Sequence, residues 1–148
     1  DEDDVLGEAE HKIYQSAVGS LIYLSLDRTD IQFAAKLLAS TISKPTKWCM
    51  QRLRRAAKYL IGTVHWVLLF PYQKEQKELT VHCDSDWAGC KATRKSTSSG
   101  VLFHGAHQLE SWSVSQQVIA LSSGESEYYA LGKGVAPLLF LIYILAEL

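Results

Sequence analysis

The sequence is short of the residues that mark several common protein classes. It has three cysteines, three prolines and one methionine among 148 residues. Cys49, Cys83 and Cys90 do not have the spacing of a metal-binding motif, and pairing any two leaves one over. This favours a reduced, intracellular protein over a disulfide-stabilised secreted one. The sequence also has no internal repeats and no low-complexity segments. Its length suits one domain or two small ones.

Signals for secretion and membrane insertion are also missing. The N-terminus is acidic. It lacks the basic segment followed by an apolar segment that is typical of a signal peptide. The apolar stretch 135–146 is too short to span a bilayer as written, and we predict that it is a buried helix. No membrane partner is therefore expected.

Three familiar catalytic or metal motifs do not occur. Ser122–Ser126 lacks the Gly-x-Ser-x-Gly spacing of a nucleophile elbow. Gly132–Gly134 is not a phosphate-binding loop. His104 and His107 have no cysteine or carboxylate pattern that would complete a zinc site, and we expect them to be surface residues.

The charges are unevenly distributed although the net charge is only −1. The first ten residues hold six acids and no base, which predicts a solvated, disordered acidic tail over residues 1–10. Lys44–Lys58 holds six bases and no acid. On a helix there, Arg52, Arg55 and Lys58 point away from the apolar side. They could track a phosphate backbone, or form an ordinary solvated face.

A second polar cluster follows in the sequence. Arg94, Lys95, Ser96 and Thr97 combine two bases with hydroxyls that suit phosphate oxygens. The alternative is a polar loop that connects two strands.

Hydrophobic periodicity predicts helices first and strands afterwards. Apolar residues recur at helical spacing in Tyr14–Ile22, Asp30 can cap a second helix, and Pro45 suits the first turn of a third that Gly62 breaks. Val64–Phe70 is a β-like run.

Three strand candidates then precede a final helix: Leu79–Asp84, Ser99–His104 and Leu109–Ser115. A capping box of Ser122 and Glu125 starts that helix. The fold class is therefore α+β, with a helical segment at 11–75 and a sheet and helix at 76–148.

Asp84 and Glu127 are the strongest candidates for chemistry. Asp84 lies near the end of an alternating run, and Glu127 lies in the first turn of a helix on its apolar face. Carboxylates on a strand and a helix suit a Mg²⁺ site that also takes substrate phosphates. The alternative for Glu127 is favourable interaction with the helix dipole. Asp86 more simply stabilises a turn.

Several short segments of the sequence closely resemble the ribonuclease H domain of Ty1/copia-type retrotransposon Pol polyproteins. They are Asp84-Ser-Asp-Trp-Ala-Gly89, Arg94–Gly100, Ser111–Ser113 and Ile119–Leu131. Four segments nearer the N-terminus resemble the stretch that joins the reverse transcriptase to that domain: Tyr14–Leu24, Arg28–Ile31, Lys44–Lys47 and Tyr59–Thr63. The resemblance covers nearly the whole chain after the first ten residues.

The resemblance implies a nuclease that cuts the RNA strand of RNA–DNA hybrids with Mg²⁺ or Mn²⁺. Asp84 matches the first of four acidic metal ligands, and Glu127 matches the second. In the family, the other two ligands lie in strands and helices that come after the position of residue 148. The implied fold is thus the first half of a ribonuclease H-like domain, three antiparallel strands and a helix, preceded by a connection segment.

Partners and location follow from the same resemblance. The expected partners are an RNA–DNA hybrid and the reverse transcriptase of the same polyprotein, in the cytoplasm within a virus-like particle or in the nucleus. The rival interpretation is a non-catalytic remnant or tether that binds nucleic acid or its parent reverse transcriptase.

Overall fold

The computed structural model describes residues 4–147, so residues 1–3 of the predicted tail and residue 148 lie outside its described part. The chain divides into two compact units, one up to residue 68 and one from residue 69. The first contains α1 (Glu8–Leu24), a 3₁₀ turn (Thr29–Ile31), α2 (Gln32–Ala39) and α3 (Lys47–Gly62). The second contains β1 (Leu79–Asp86), β2 (Thr97–His104), β3 (His107–Ser115) and α4 (Ser123–Glu147). The predicted α+β class is confirmed.

The helical unit is built around one apolar core. Its three α-helices each contribute one apolar face, and burying a side chain of this kind stabilises the fold by roughly 1.5–3 kcal/mol. Tyr14 is completely buried, and its hydroxyl donates to the carbonyl of Leu38 at 2.9 Å. The core comprises Leu6, Tyr14, Val18, Leu21, Ile31, Ala35, Leu38, Cys49 and Leu53.

The prediction of a disordered tail over residues 1–10 is wrong for residues 4–10. Leu6 is buried in the core, and its backbone N–H donates to the carbonyl of Pro45 at 3.0 Å. Asp4 forms an ion pair with Lys47, and α1 begins at Glu8. The acidic composition hid one apolar anchor, Leu6, which orders the segment around it.

Asp30 ties the 3₁₀ turn to α3 and does not cap α2 as predicted. Arg28 donates two hydrogen bonds to the Asp30 carboxylate, at 2.9 and 2.7 Å, and Tyr59 donates a third at 2.8 Å. Arg28 holds the pKa of Asp30 below its ordinary value. Arg28 also donates to both oxygens of Thr63, so these residues fix the end of α3.

The expected strand at Val64–Phe70 is not formed. Among residues 4–147 no strand pairs with this segment, and its apolar side chains are exposed, with Val67 and Leu69 about three-quarters accessible at 73% and 74%. β-propensity alone does not make a strand where no partner strand supplies the backbone hydrogen bonds.

The second unit holds a three-stranded antiparallel sheet in the order β1-β2-β3. Each observed strand extends its predicted counterpart by two residues at one end. A turn at Gly105, with φ +58°, joins β2 to β3, and the Gln73 side chain accepts from Ala106 N–H at 2.8 Å. The polar connector before β1 thus secures the hairpin.

The helix α4 packs on β1 through small residues. Ser126, Ala130 and Gly134 are its buried residues. A side chain at Gly134 would collide with the Cys83 sulfur, so glycine permits this close approach. The predicted capping box is confirmed, because Glu125 N–H donates to Ser122 Oγ at 3.1 Å and the Glu125 carboxylate accepts from Leu121 N–H at 2.7 Å.

The C-terminal half of α4 is not the buried helix that was predicted. Phe140 and Tyr143 are 64% and 70% exposed, and the helix continues unbroken through Pro137. Within residues 4–147, α4 alone has the length and apolar composition that crossing a membrane requires. A core helix of a soluble protein meets the same two criteria.

Candidate functional site

Glu127 lies on the side of α4 that faces the sheet. Gly134 is two helical turns further along the same face and contacts Cys83 and Val81 of β1. Glu127 itself is half-buried. Burial raises the pKa of the Cys83 thiol, and the negative charge of Glu127 raises it further, which places that carboxylate near β1.

Asp84 is an exposed residue of β1 between Cys83 and Ser85. Both neighbours face α4, since Cys83 contacts Gly134 and Ser85 joins a hydrogen-bond network that reaches Ser126. Strand alternation therefore directs the Asp84 side chain to the opposite face of the sheet. The structure therefore does not bring the two carboxylates together on one face of the sheet.

Both carboxylates are uncompensated. Within residues 4–147, neither the Asp84 nor the Glu127 side chain forms an ion pair or accepts a hydrogen bond. A half-buried acid without a partner is unfavourable unless a cation joins it. The same range contains no cluster of three or more His, Cys, Asp or Glu side chains suited to a metal ion. Carboxylate oxygens are the donors that Mg²⁺ prefers, so the chemistry of the two residues fits such an ion, although strand alternation puts their side chains on different faces of the sheet.

Gln116 is a site residue that sequence reasoning missed. It is buried, and its amide nitrogen lies 2.8 Å from the Ser126 carbonyl, 3.2 Å from Ser85 Oγ and 3.0 Å from Ser98 Oγ. Ser85 follows Asp84 in the chain and Ser126 precedes Glu127. One side chain therefore links a residue next to Asp84 with a residue next to Glu127. The run of serines near both acids was the available signal.

The polar cluster between β1 and β2 is only partly available to a ligand. Ser96 and Thr97 are buried, which leaves little of either side chain accessible to a phosphate, and their contact with phosphate stays a prediction. Ser96 Oγ accepts from Ala88 N–H at 3.0 Å, and the Thr97 N–H donates to the Asp86 carboxylate. Asp86 stabilises the turn, as expected. Arg94 is exposed and Lys95 half-buried, which leaves two bases at this loop.

Arg52, Arg55 and Lys58 form an exposed basic face on α3, the helix whose opposite side buries Cys49 and Leu53. The Arg52 guanidinium lies 3.5 Å from the centre of the Trp48 ring, in a cation–π contact. The predicted orientation of this face is confirmed. Its binding of nucleic acid stays a prediction.

The histidines of the second unit have structural partners. His104 Nε2 lies 2.7 Å from the Gln76 carbonyl, and His107 Nε2 lies 2.7 Å from the Pro71 carbonyl. His82 makes an edge contact with Phe103. These contacts give the three rings roles in holding the sheet and its connector.

The chain is similar to several proteins of known sequence. It is 36% identical over 126 residues to the uncharacterized mitochondrial protein AtMg00810 of Arabidopsis thaliana, an alignment that covers 84% of this chain and 52% of that protein. It is 33% identical over 138 residues to the retrovirus-related Pol polyprotein from transposon RE1 of Arabidopsis thaliana, covering 91% of this chain and 9% of the polyprotein.

A relative of similar length comes from another organism. The secreted RxLR effector protein 161 of Plasmopara viticola is 39% identical over 122 residues, and the match covers 81% of this chain and 84% of the effector. No family model matches the chain, and no solved structure matches it. The chain spans about half the length of the mitochondrial relative and about a tenth of the polyprotein.

Proposed function

We propose that the chain is a ribonuclease H module of a copia-type retrotransposon Pol polyprotein, a proposal that its similarity to such polyproteins supports. Its reaction is the hydrolysis of the RNA strand in RNA–DNA hybrids. The reverse transcriptase of the same polyprotein is its natural partner.

One observation carries this proposal. Asp84 near the end of β1 and Glu127 in the first turn of α4 are both uncompensated carboxylates, and Gln116 ties together the residues beside them. The two acids offer the oxygen ligands of an ion that also binds a phosphodiester, and joint binding requires the Asp84 side chain to reach the α4 side of β1.

Mg²⁺ or Mn²⁺ fits this donor set, with Asp84 and Glu127 as the protein ligands. Such an ion, when bound, supplies activation of water and stabilisation of the leaving oxygen. The protein's own contribution is to hold the two acids apart from any competing cation and to position the substrate. Arg94 and Lys95 lie in the loop after β1 and would contact phosphates near the acids.

Selection of the hybrid depends on its shape. A protein distinguishes RNA from DNA through the 2′-hydroxyl and the wide minor groove of A-form-like helices. Separately, the basic face of α3 in the helical unit would contact a phosphate backbone without reading its sequence.

Binding of Mn²⁺ to the 148-residue chain tests the site, with free Mn²⁺ followed by electron paramagnetic resonance. We expect weak binding of one ion, and loss of binding in Asp84→Asn and in Glu127→Gln, because each change removes a charge and keeps the shape. Glu125→Gln is the matched control, since Glu125 caps α4. Unchanged binding in both active-site variants would show that the ion sits elsewhere.

A second candidate function is a non-catalytic tether that binds nucleic acid or the reverse transcriptase. The absence of a third clustered metal-ligating side chain in residues 4–147 favours it. A chain that binds hybrid, does not take up Mn²⁺ and never cuts RNA would be a tether.

A further inference from the structure

A groove lies between α2 and α3 in the helical unit. Its volume is about 510 Å³, within the range of roughly 300–1,000 Å³ that is typical of small-ligand sites. All of its walls belong to the first unit, and it shares no residue with the Asp84 and Glu127 site. The α2–α3 groove is lined by Asp30, Ile31, Phe33, Ala34, Leu37, Leu38, Arg52, Arg55, Ala56 and Tyr59.

The charge inside the α2–α3 groove is positive. Arg52 and Arg55 line one side, and within residues 4–147 neither forms an ion pair with a carboxylate. Asp30 is the one acid of the lining, and its charge is offset by the two hydrogen bonds from Arg28. Two guanidiniums of fixed charge are therefore left to bind an anion, for which their planar forks are well suited.

The rest of the groove lining is largely apolar. Ala34 and Ala56 contribute small side chains to that lining. The Phe33 ring forms a wall and is 52% exposed. The Lys36 ammonium lies 5.7 Å from the centre of that ring and adds positive charge beside it. Aromatic rings next to arginines are the usual platform for the bases of single-stranded nucleic acid.

We propose that the α2–α3 groove binds an unpaired nucleotide, with the base against Phe33 and the apolar floor and the phosphate on Arg52 and Arg55. A groove of about 510 Å³ has room for one nucleotide. The floor offers few hydrogen-bonding groups, so the site accepts any base. The proposal rests on the proposed nucleic-acid function and deepens it, because it makes single-stranded segments next to a hybrid a separate ligand.

Fluorescence anisotropy with the full chain tests this proposal. The probes are labelled oligo-dT and a blunt RNA–DNA hybrid of the same length. Phe33→Ala is expected to weaken oligo-dT binding about tenfold, since one base stack contributes roughly 1–3 kcal/mol, and to leave hybrid binding unchanged. Phe33→Tyr keeps the ring and should restore oligo-dT binding. Tyr23→Ala, which removes an aromatic side chain that is 76% exposed on α1, is the control.

The outcomes distinguish the proposed nucleotide site in the α2–α3 groove from the proposed ribonuclease H function. Equal loss for both probes in Phe33→Ala, or no loss for either, overturns the groove site. Failure of the wild type to bind the hybrid counts against the proposed function, and the oligo-dT result still decides the groove. Competition by thymidine monophosphate distinguishes a free nucleotide from a strand as the ligand. Phe33-dependent binding of an acidic amphipathic peptide, without oligo-dT binding, would assign the groove to a protein partner.

Discussion

At the scale of single residues, Glu125 and Glu127 are two positions apart on α4 and have different surroundings. The Glu125 carboxylate caps the helix through Leu121 N–H, whereas Glu127 is half-buried near Cys83 and has no hydrogen-bond partner within residues 4–147. The sequence resemblance selects Glu127, and these surroundings are the physical reason why its charge remains available to a ligand.

Gln116 carries the first residue-scale prediction. Gln116→Ala should lower the free energy of unfolding by about 1–3 kcal/mol, because it leaves buried polar groups of Ser98 and Ser126 without their partner. Urea unfolding followed by circular dichroism measures this change. Gln117→Ala is the matched control, since Gln117 is exposed. Equal effects of the two substitutions would show that the network does not hold α4 to the sheet.

Residue-level expectations succeeded where the neighbours along the chain determined the environment. The capping box of Ser122 and Glu125 is of this kind. The burial of Ser96 was not predictable, because its hydroxyl partner is Ala88, eight residues earlier on another part of the turn. The sequence alone does not distinguish a serine whose hydroxyl faces solvent from one whose hydroxyl faces a loop that folds back on it.

At the scale of elements, close packing of α4 on β1 determines where the helix-borne acid lies. Gly134 contacts Cys83 and Val81, while Gly132 on the same helix has open space around it. The predicted strand order and final helix are confirmed. The predicted burial of α4 is wrong at its C-terminal half. Hydropathy shows that a helix has apolar side chains, but it does not show whether another part of the fold covers them.

The two glycines give a paired prediction. Gly134→Ala should destabilise the fold by about 1–3 kcal/mol, because the added methyl group overpacks the contact with Cys83. Gly132→Ala should stabilise it by about 0.5–1 kcal/mol through helix propensity. Thermal unfolding compares the two variants with the wild type. Stabilisation by both substitutions would mean that α4 does not approach β1 so closely.

At the scale of the whole molecule, charge is the property that most directly predicts binding. Residues 44–58 hold six bases and no acid, and the structure exposes Arg52, Arg55 and Lys58 on one helix face. The sequence predicted this face correctly, since charged side chains on an amphipathic helix point away from its buried side. The ordered start of the chain was not predictable from charge, because it depends on the burial of Leu6 and on the ion pair of Asp4 with Lys47.

The basic face predicts salt-dependent binding of nucleic acid by the full chain. Affinity for hybrid or duplex should be weak and should fall steeply as salt rises, because bound phosphates release counterions. Replacing Arg52, Arg55 and Lys58 with alanine should weaken binding and reduce the slope of log K against log salt by up to about 3. A triple alanine variant at Lys12, Lys74 and Lys133, all exposed, is the control. An unchanged slope in the first variant would make this face an ordinary solvated surface.

Cleavage of labelled RNA in an RNA–DNA hybrid, with Mg²⁺ or Mn²⁺ and with chelator, tests the central claim most directly. The 148-residue chain should cut poorly or not at all, since its described residues contain no cluster of three or more metal-ligating side chains. A longer chain that continues through the following region of an intact reading frame should cut the RNA strand when metal is present. In that longer chain Asp84→Asn or Glu127→Gln should abolish cleavage, and Glu125→Gln should leave it nearly unchanged. Full cleavage by the longer chain carrying Asp84→Asn would contradict the placement of the active site.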